Sequence, residues 1–160
     1  MIGLYLEDLE IGRCVDLGSY HFSRDAVLDF ARKYDPQPFH VDDAAAVRGP
    51  FGKLAASGWH TAAAWMKCYV ATNQAAWRRL AAAGGTPAPA GPSPGFTNLK
   101  WLKPVFPGDT VSYRCTISRK RDLASRPGWG LLLSLNEGFN QDGELVFSFE
   151  GKVLTARHRP

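Results

Sequence analysis

The segment Tyr34-Asp35-Pro36-Gln37-Pro38-Phe39-His40 holds a carboxylate and an imidazole five residues apart, with two prolines between them. Fully extended, five residues span about 16 Å and carry the two side chains away from each other. To meet, the chain must turn, and the fixed φ of each proline restricts where it can do so. With ordinary pKa values of about 3.9 and about 6.5, Asp35 and His40 would then form an acid–base couple able to share a water near neutrality. Spacing alone permits a plainer reading as well, in which Asp35 ends a helix and His40 is a satisfied core or surface histidine.

A second stretch, Ala55-Ala56-Ser57-Gly58-Trp59-His60-Thr61, opens an Ala-rich run. A helix N-terminus presents unpaired amides and partial positive charge, and a glycine there lets a ligand approach the backbone. The Gly58 amide is therefore a candidate for stabilising a thioester enolate oxygen, as an oxyanion hole does. Against that, Ser57 and Gly58 are ordinary capping residues, and most helix starts catalyse nothing.

The elements that must position these groups can be read from periodicity. Residues 12–22 form a short extended lead-in, and Ser23 caps a helix whose apolar face is Val27, Phe30, Ala31 and Tyr34. Pro36 ends that helix by pushing its predecessor out of the helical region. Residues 35–51 are irregular, with one short helical turn over 43–47. The longest helix covers residues 59–82 and is apolar nearly all round in its first half, the pattern of a buried helix. Gly84-Gly85 stops it, and eight of the twelve residues in 84–95 are Gly or Pro, a loop rather than a second domain.

Strands follow at 96–102, from Val111 to Ile117, at 129–139 and from Leu145 onward, with turn chemistry at 104–109 and a tight hairpin at Asp142-Gly143. The expected fold class is α+β, one domain over residues 1–160, with an antiparallel sheet wrapped around a long central helix. A single sheet around one helix leaves an edge in need of cover, so pairing of two copies is expected.

Composition narrows the function classes. In 160 residues, 45% hydrophobic and 21% charged is ordinary globular composition, and a net charge of +4 is too weak to indicate nucleic acid. Three scattered cysteines, Cys14, Cys68 and Cys115, form no CxxC pair and suit a reducing cytoplasm. The acidic start lacks a leader pattern, and apolar runs are broken well short of a membrane span. His21, His60 and His158 have no metal-like spacing, so no metal is expected. The densest basic cluster, Arg119-Lys120-Arg121 with Arg126, could meet phosphates but reads more simply as a solvated strand end. Trp59, Trp65, Trp77, Trp101 and Trp129 read as core or interface.

Taken together, the D-x-[N/Q]-P-x-H loop (Asp35, Gln37, Pro38, His40) with Ala46 beyond it resembles the MaoC-like dehydratases and R-specific enoyl-CoA hydratases. The flanking features agree in order: Glu7 to Gly12, a helix before the loop, Ser57-Gly58 at a helix start, and the Pro-Gly-Asp turn at 107–109. That resemblance runs over residues 6–155 and implies a hot-dog fold working as a homodimer or larger homo-oligomer. It implies an acyl-coenzyme A substrate, with no cofactor beyond the coenzyme A carried by the substrate itself. By position, Asp35 and His40 would activate a water for addition to a trans-2-enoyl thioester. The Gly58 amide would polarise the carbonyl, with Ser57 and Gln37 beside it as substrate-binding residues. Gln37 stands where the hydratases carry Asn, Tyr34 where a glycine is frequent, and Ser57 where a histidine commonly precedes the glycine. Two other functions are open: thioester hydrolysis, and acyl-coenzyme A binding without catalysis.

Overall fold

Ser23 caps the first helix, α1 (Arg24–Tyr34), with its Oγ accepting from the Ala26 N–H at 3.2 Å. The computed structural model describes residues 3–89 and 91–158. Both ends of the expected domain and Ala90 of the Gly/Pro loop lie outside the described residues. Before α1 runs β1 (Cys14–His21), preceded by a single 3-10 turn over Leu6–Asp8. After it come α2 (Pro38–Val41), α3 (Asp43–Val47) and the long α4 (Gly58–Ala82). The chain then builds β2 (Gly95–Trp101), β3 (Thr110–Asp122), β4 (Trp129–Phe139) and β5 (Leu145–Ala156).

All five strands join one antiparallel sheet in the order β1-β3-β4-β5-β2. Alternation in β3 works as its sequence implies: Val111, Tyr113 and Cys115 are buried in the core shared with α4, and Ile117 is buried against Leu6 and Leu9. Tyr113 donates from its hydroxyl to the Thr61 carbonyl of α4 at 2.9 Å, pinning the helix across the sheet. Phe147 and Phe149 of β5 lie on the same inner face, opposite Gly138 and Asn136 of β4. The main core is therefore the layer between α4 and the inner face, closed at one end by Phe22 and Val27. An antiparallel sheet wrapped around one long helix is the arrangement expected.

Four expectations need correction. Residues 38–41 form a helical turn, α2, because Pro38 is pre-set for the first helical position. In α1 the inward face uses Leu28, while Tyr34 is 63% exposed, because the helix ends there and its last turn projects past the core. The sheet covers only one side of α4, so the helix is not buried all round: Trp59, Met66 and Val70 remain exposed. The tryptophans divide as a core-or-interface reading allows, with Trp65 buried in the core and Trp59, Trp77 and Trp101 at the surface. The basic cluster is partly structural, since Lys120 donates from its ammonium to the carbonyls of Leu6, Glu7 and Leu9 and so ties down the 3-10 turn.

His60 sits inside α4 with 5% of its surface exposed. Phe30 stacks on its ring at 4.6 Å, and Phe22 and Tyr20 meet it edge-on. Burial pushes its pKa down to about 4. The imidazole is therefore neutral in the folded protein, while in the unfolded chain it titrates near 6.5. Between those values the unfolded state binds more protons, so stability is complete above pH ~6.5 and falls as pH drops toward ~4, by at most ~1.4 kcal/mol per pH unit. Urea denaturation at a series of pH values is expected to show this decline, and a His60→Leu variant is expected to flatten it.

Candidate active site

Pro36 stops α1 and leaves Asp35 as its C-cap, with its N–H still bonded to the Ala31 carbonyl at 2.8 Å. A tight turn follows, in which the Gln37 N–H donates to the Asp35 carbonyl at 2.8 Å and the His40 N–H to the Gln37 carbonyl at 2.9 Å. Within this one reversal the chain brings His40 Nε2 to 3.6 Å from Asp35 Oδ2. The fold-back expected from the two prolines is thus present. Leu28, Phe39, Ala46 and Leu54 pack beneath it and hold the turn against the domain.

The segment leading into α4 braces the other side. The Ala55 N–H donates to the Phe39 carbonyl at 3.3 Å, and the Ala55 carbonyl accepts from His40 Nδ1 at 2.7 Å. A carbonyl can only accept, so Nδ1 carries the proton and, in the neutral ring, Nε2 presents its lone pair toward Asp35. His40 itself is 5% exposed, so the ring orientation is fixed by packing as well as by this bond.

Both oxygens of Asp35 are engaged. Oδ1 accepts from Gln37 Nε2 at 2.8 Å, and Oδ2 accepts from Ser57 Oγ at 2.6 Å. Burial alone would raise this carboxyl. The bonds from Ser57 and Gln37 outweigh that effect and hold its pKa below the ordinary value. Ser57 has 0% exposure and is also the N-cap of α4, its Oγ accepting from the Trp59 N–H at 3.2 Å. One hydroxyl therefore links the tip of the helix to the carboxylate.

Gly58 follows as the first residue of the helix, where no carbonyl of the helix itself can accept its amide. Its own carbonyl accepts from Trp101 Nε1 at 2.8 Å, and a Cβ at this position would fall 2.6 Å from the indole ring. Only a residue without a side chain fits beneath Trp101. One residue on, Trp59 lines a cavity of about 300 Å³ between α4 and the sheet, walled by Trp65, Tyr69, Phe96, Leu99 and Phe149 among others. Neither Asp35 nor His40 lines this cavity, and Trp59 connects its rim to the helix tip that holds them.

Of the residues singled out from sequence, Asp35, His40, Ser57, Gly58 and Gln37 all gather within one cluster. Ser57 and Gln37 both bind the carboxylate directly. Sequence reasoning missed the Ala55 carbonyl that fixes the imidazole and the Trp101 indole that caps Gly58. A backbone carbonyl has no signature in residue type, and Trp101 lies 43 positions from the glycine it covers.

Residues 8–128 match the family model described as MaoC like domain. The structure of a MaoC-like dehydratase from Rhodospirillum rubrum superposes with a TM-score of 0.81 at 35% identity, covering 99% of both chains. The Bacillus subtilis protein YdeM is 29% identical over 152 residues, 95% of this chain and 99% of its own length. An R-hydratase from Pseudomonas aeruginosa shares the fold, with a TM-score of 0.69 at 21% identity over 99% of this chain and 89% of that one. With its Asp–His turn, its capped helix tip and this match over most of its length, the chain belongs to the MaoC-like dehydratase family, on a hot-dog fold.

Proposed function

We propose that this protein adds water to a trans-2-enoyl thioester of coenzyme A, or removes it from the 3-hydroxyacyl product. The observation that carries this reading is the 3.6 Å separation of Asp35 Oδ2 and His40 Nε2 beside the amide-bearing tip of α4. With Nδ1 committed to Ala55, the carboxylate and the neutral ring offer two acceptors side by side. A water can donate one hydrogen to each at ~2.8 Å and turn its lone pairs toward substrate. During addition, the water oxygen bonds to the β-carbon while one of its protons passes to the Asp35–His40 pair. Electrons of the double bond move toward the thioester oxygen, where the Gly58 amide stabilises the enolate. The pair returns the proton to the α-carbon, so one water is added and the enzyme is restored. Dehydration runs the same path backward.

Gln37 and Ser57 act in this scheme by orienting the carboxylate and keeping it ionised. The apolar cavity behind Trp59 accommodates the acyl chain. The name of the Pseudomonas aeruginosa R-hydratase supports the same reaction class. Hydrolysis of the thioester would need water aimed at the carbonyl carbon, and no observation at the site favours it. A reducing cytoplasm suits the free Cys14, Cys68 and Cys115, and among the described residues no helix is long and apolar enough to cross a membrane.

For the assembly, we propose a homodimer built on the open edge of β2. That strand borders only β5, and it carries the exposed Phe96 and Trp101 beside the exposed Trp59. An apolar sheet edge of this kind favours pairing with a second copy.

With crotonyl-coenzyme A, the protein is expected to consume enoyl absorbance without releasing free thiol; thiol release would indicate hydrolysis instead. Asp35→Asn and His40→Ala are each expected to lower turnover by ~100-fold or more, and near wild-type rates in either variant on every enoyl substrate would remove the catalytic assignment. Ser57→Ala takes away a bond that lowers the Asp35 pKa, so the carboxylate is lost at higher pH. The acidic limb of kcat/KM against pH should move upward. Light scattering is expected to give twice the chain mass for the wild type and a single chain for Phe96→Glu.

A further inference from the structure

The first four amides of α4 belong to Gly58, Trp59, His60 and Thr61, and three of them have acceptors. Ser57 Oγ accepts from the Trp59 N–H at 3.2 Å, and the Ser57 carbonyl accepts from the His60 N–H at 2.9 Å and the Thr61 N–H at 3.3 Å. The Gly58 N–H has no acceptor among the described residues. That N–H belongs to the planar peptide group whose carbonyl is that of Ser57. The helix holds the carbonyl end of this plane through His60 and Thr61. The amide end joins the chain at the Gly58 Cα, where a glycine has no side chain to limit its rotation.

Trp101 supplies the missing restraint. It ends β2, where it pairs with Phe147 of β5, so the sheet fixes its backbone. Its Nε1–H donates to the Gly58 carbonyl at 2.8 Å, which holds the second peptide plane meeting at the Gly58 Cα. The indole also stands where a side chain of residue 58 would begin, since a Cβ there would lie 2.6 Å from Cε2 and 2.7 Å from Nε1. Trp59 packs edge-on against the same indole, with ring centroids 5.2 Å apart. The glycine that the ring requires is thus denied its freedom by that ring.

We propose that Trp101 is a positioning residue for the reaction: it fixes the direction of the unpaired Gly58 amide, and so acts on enolate formation rather than on substrate uptake. This rests on the acyl-coenzyme A reading above, which gives the Gly58 amide its part. A donor already aimed at the developing oxyanion stabilises it more than one that must first come to rest. Trp101 is 45% exposed, so its contribution to the core is small and its effect on the amide can be measured apart from packing.

The test replaces Trp101 by Phe, which keeps a ring over Gly58 and removes the N–H. On the most active trans-2-enoyl-coenzyme A, kcat is expected to fall ~10-fold, less than the ~100-fold that follows outright loss of an oxyanion donor. Calorimetric binding of the saturated thioester of the same length, which cannot react, is expected to stay at the wild-type value. The 3-oxoacyl thioester of that length reads the amide without turnover: its α-carbon loses a proton to solvent, and the enolate has its own near-ultraviolet band. Bound to Trp101→Phe, the enolate is expected to form at higher pH than on the wild type. Trp101→Leu, which also lacks the donor, serves the same comparison if the Phe variant does not fold. A wild-type kcat or a wild-type enolate midpoint overturns this proposal alone and leaves the hydratase reading intact. Weakened binding of the saturated thioester in step with the other losses also overturns it, since that marks general damage to the site. If the wild-type protein hydrates no enoyl-coenzyme A, the reading above falls and this one with it.

Discussion

The hydroxyl of Ser57 joins two demands that would otherwise be met separately. A helix needs an acceptor for its first amides, and a partly buried carboxylate needs donors. Ser57 Oγ accepts from the Trp59 amide and donates to Asp35 Oδ2, so the start of α4 and the end of α1 share one atom. The rest of the site depends on that link. It sets the carboxylate beside the helix tip, and the turn through Pro36 and Pro38 then swings His40 onto the same oxygen.

Charge is distributed accordingly. Two donors on Asp35 keep it ionised despite burial, and the Ala55 carbonyl keeps the proton of His40 on the far side of its ring. The result is a pair of acceptors held by the Ala55 backbone, the Ser57 cap and the Gln37 amide. Such preorganisation costs little at the moment of reaction, because the dipoles are already in place. The frame is rigid on both flanks: Tyr113 anchors α4 to β3, and the Leu28–Ala46–Leu54 cluster supports the turn.

Much of this is legible in the residues. The cap at Ser23, the stop at Pro36, the helix from Gly58 and the alternation of β3 each follow from local rules, and they are the elements that deliver the site. The turn at 38–41 is harder to read, because a four-residue helix has no periodicity and only Pro38 marks it. β4 misleads for a different reason. Leu133 and Leu135 are as apolar as core residues, yet the register with β3 and β5 sends Ser134 and Asn136 inward beside Leu132. Register is a tertiary property, set by pairing with Cys115, Ile117, Phe149 and Gly151, and no window of β4 alone contains it. The exposed side of α4 is similar: Met66 and Val70 are as apolar as buried residues, and only the reach of a single sheet decides which face is covered.

Trp101 belongs to the outermost strand, yet its indole bonds to the Gly58 carbonyl and fills the space where a side chain would stand. The rim of the sheet and the electrophilic end of α4 therefore behave as one mechanical piece. One hydrogen bond and one close ring contact, with no loop between them, join the rim to the residue whose amide heads the helix. The geometry offered to a substrate oxygen is thus coupled to whatever abuts the sheet's free margin, and the tryptophan is the lever that couples them.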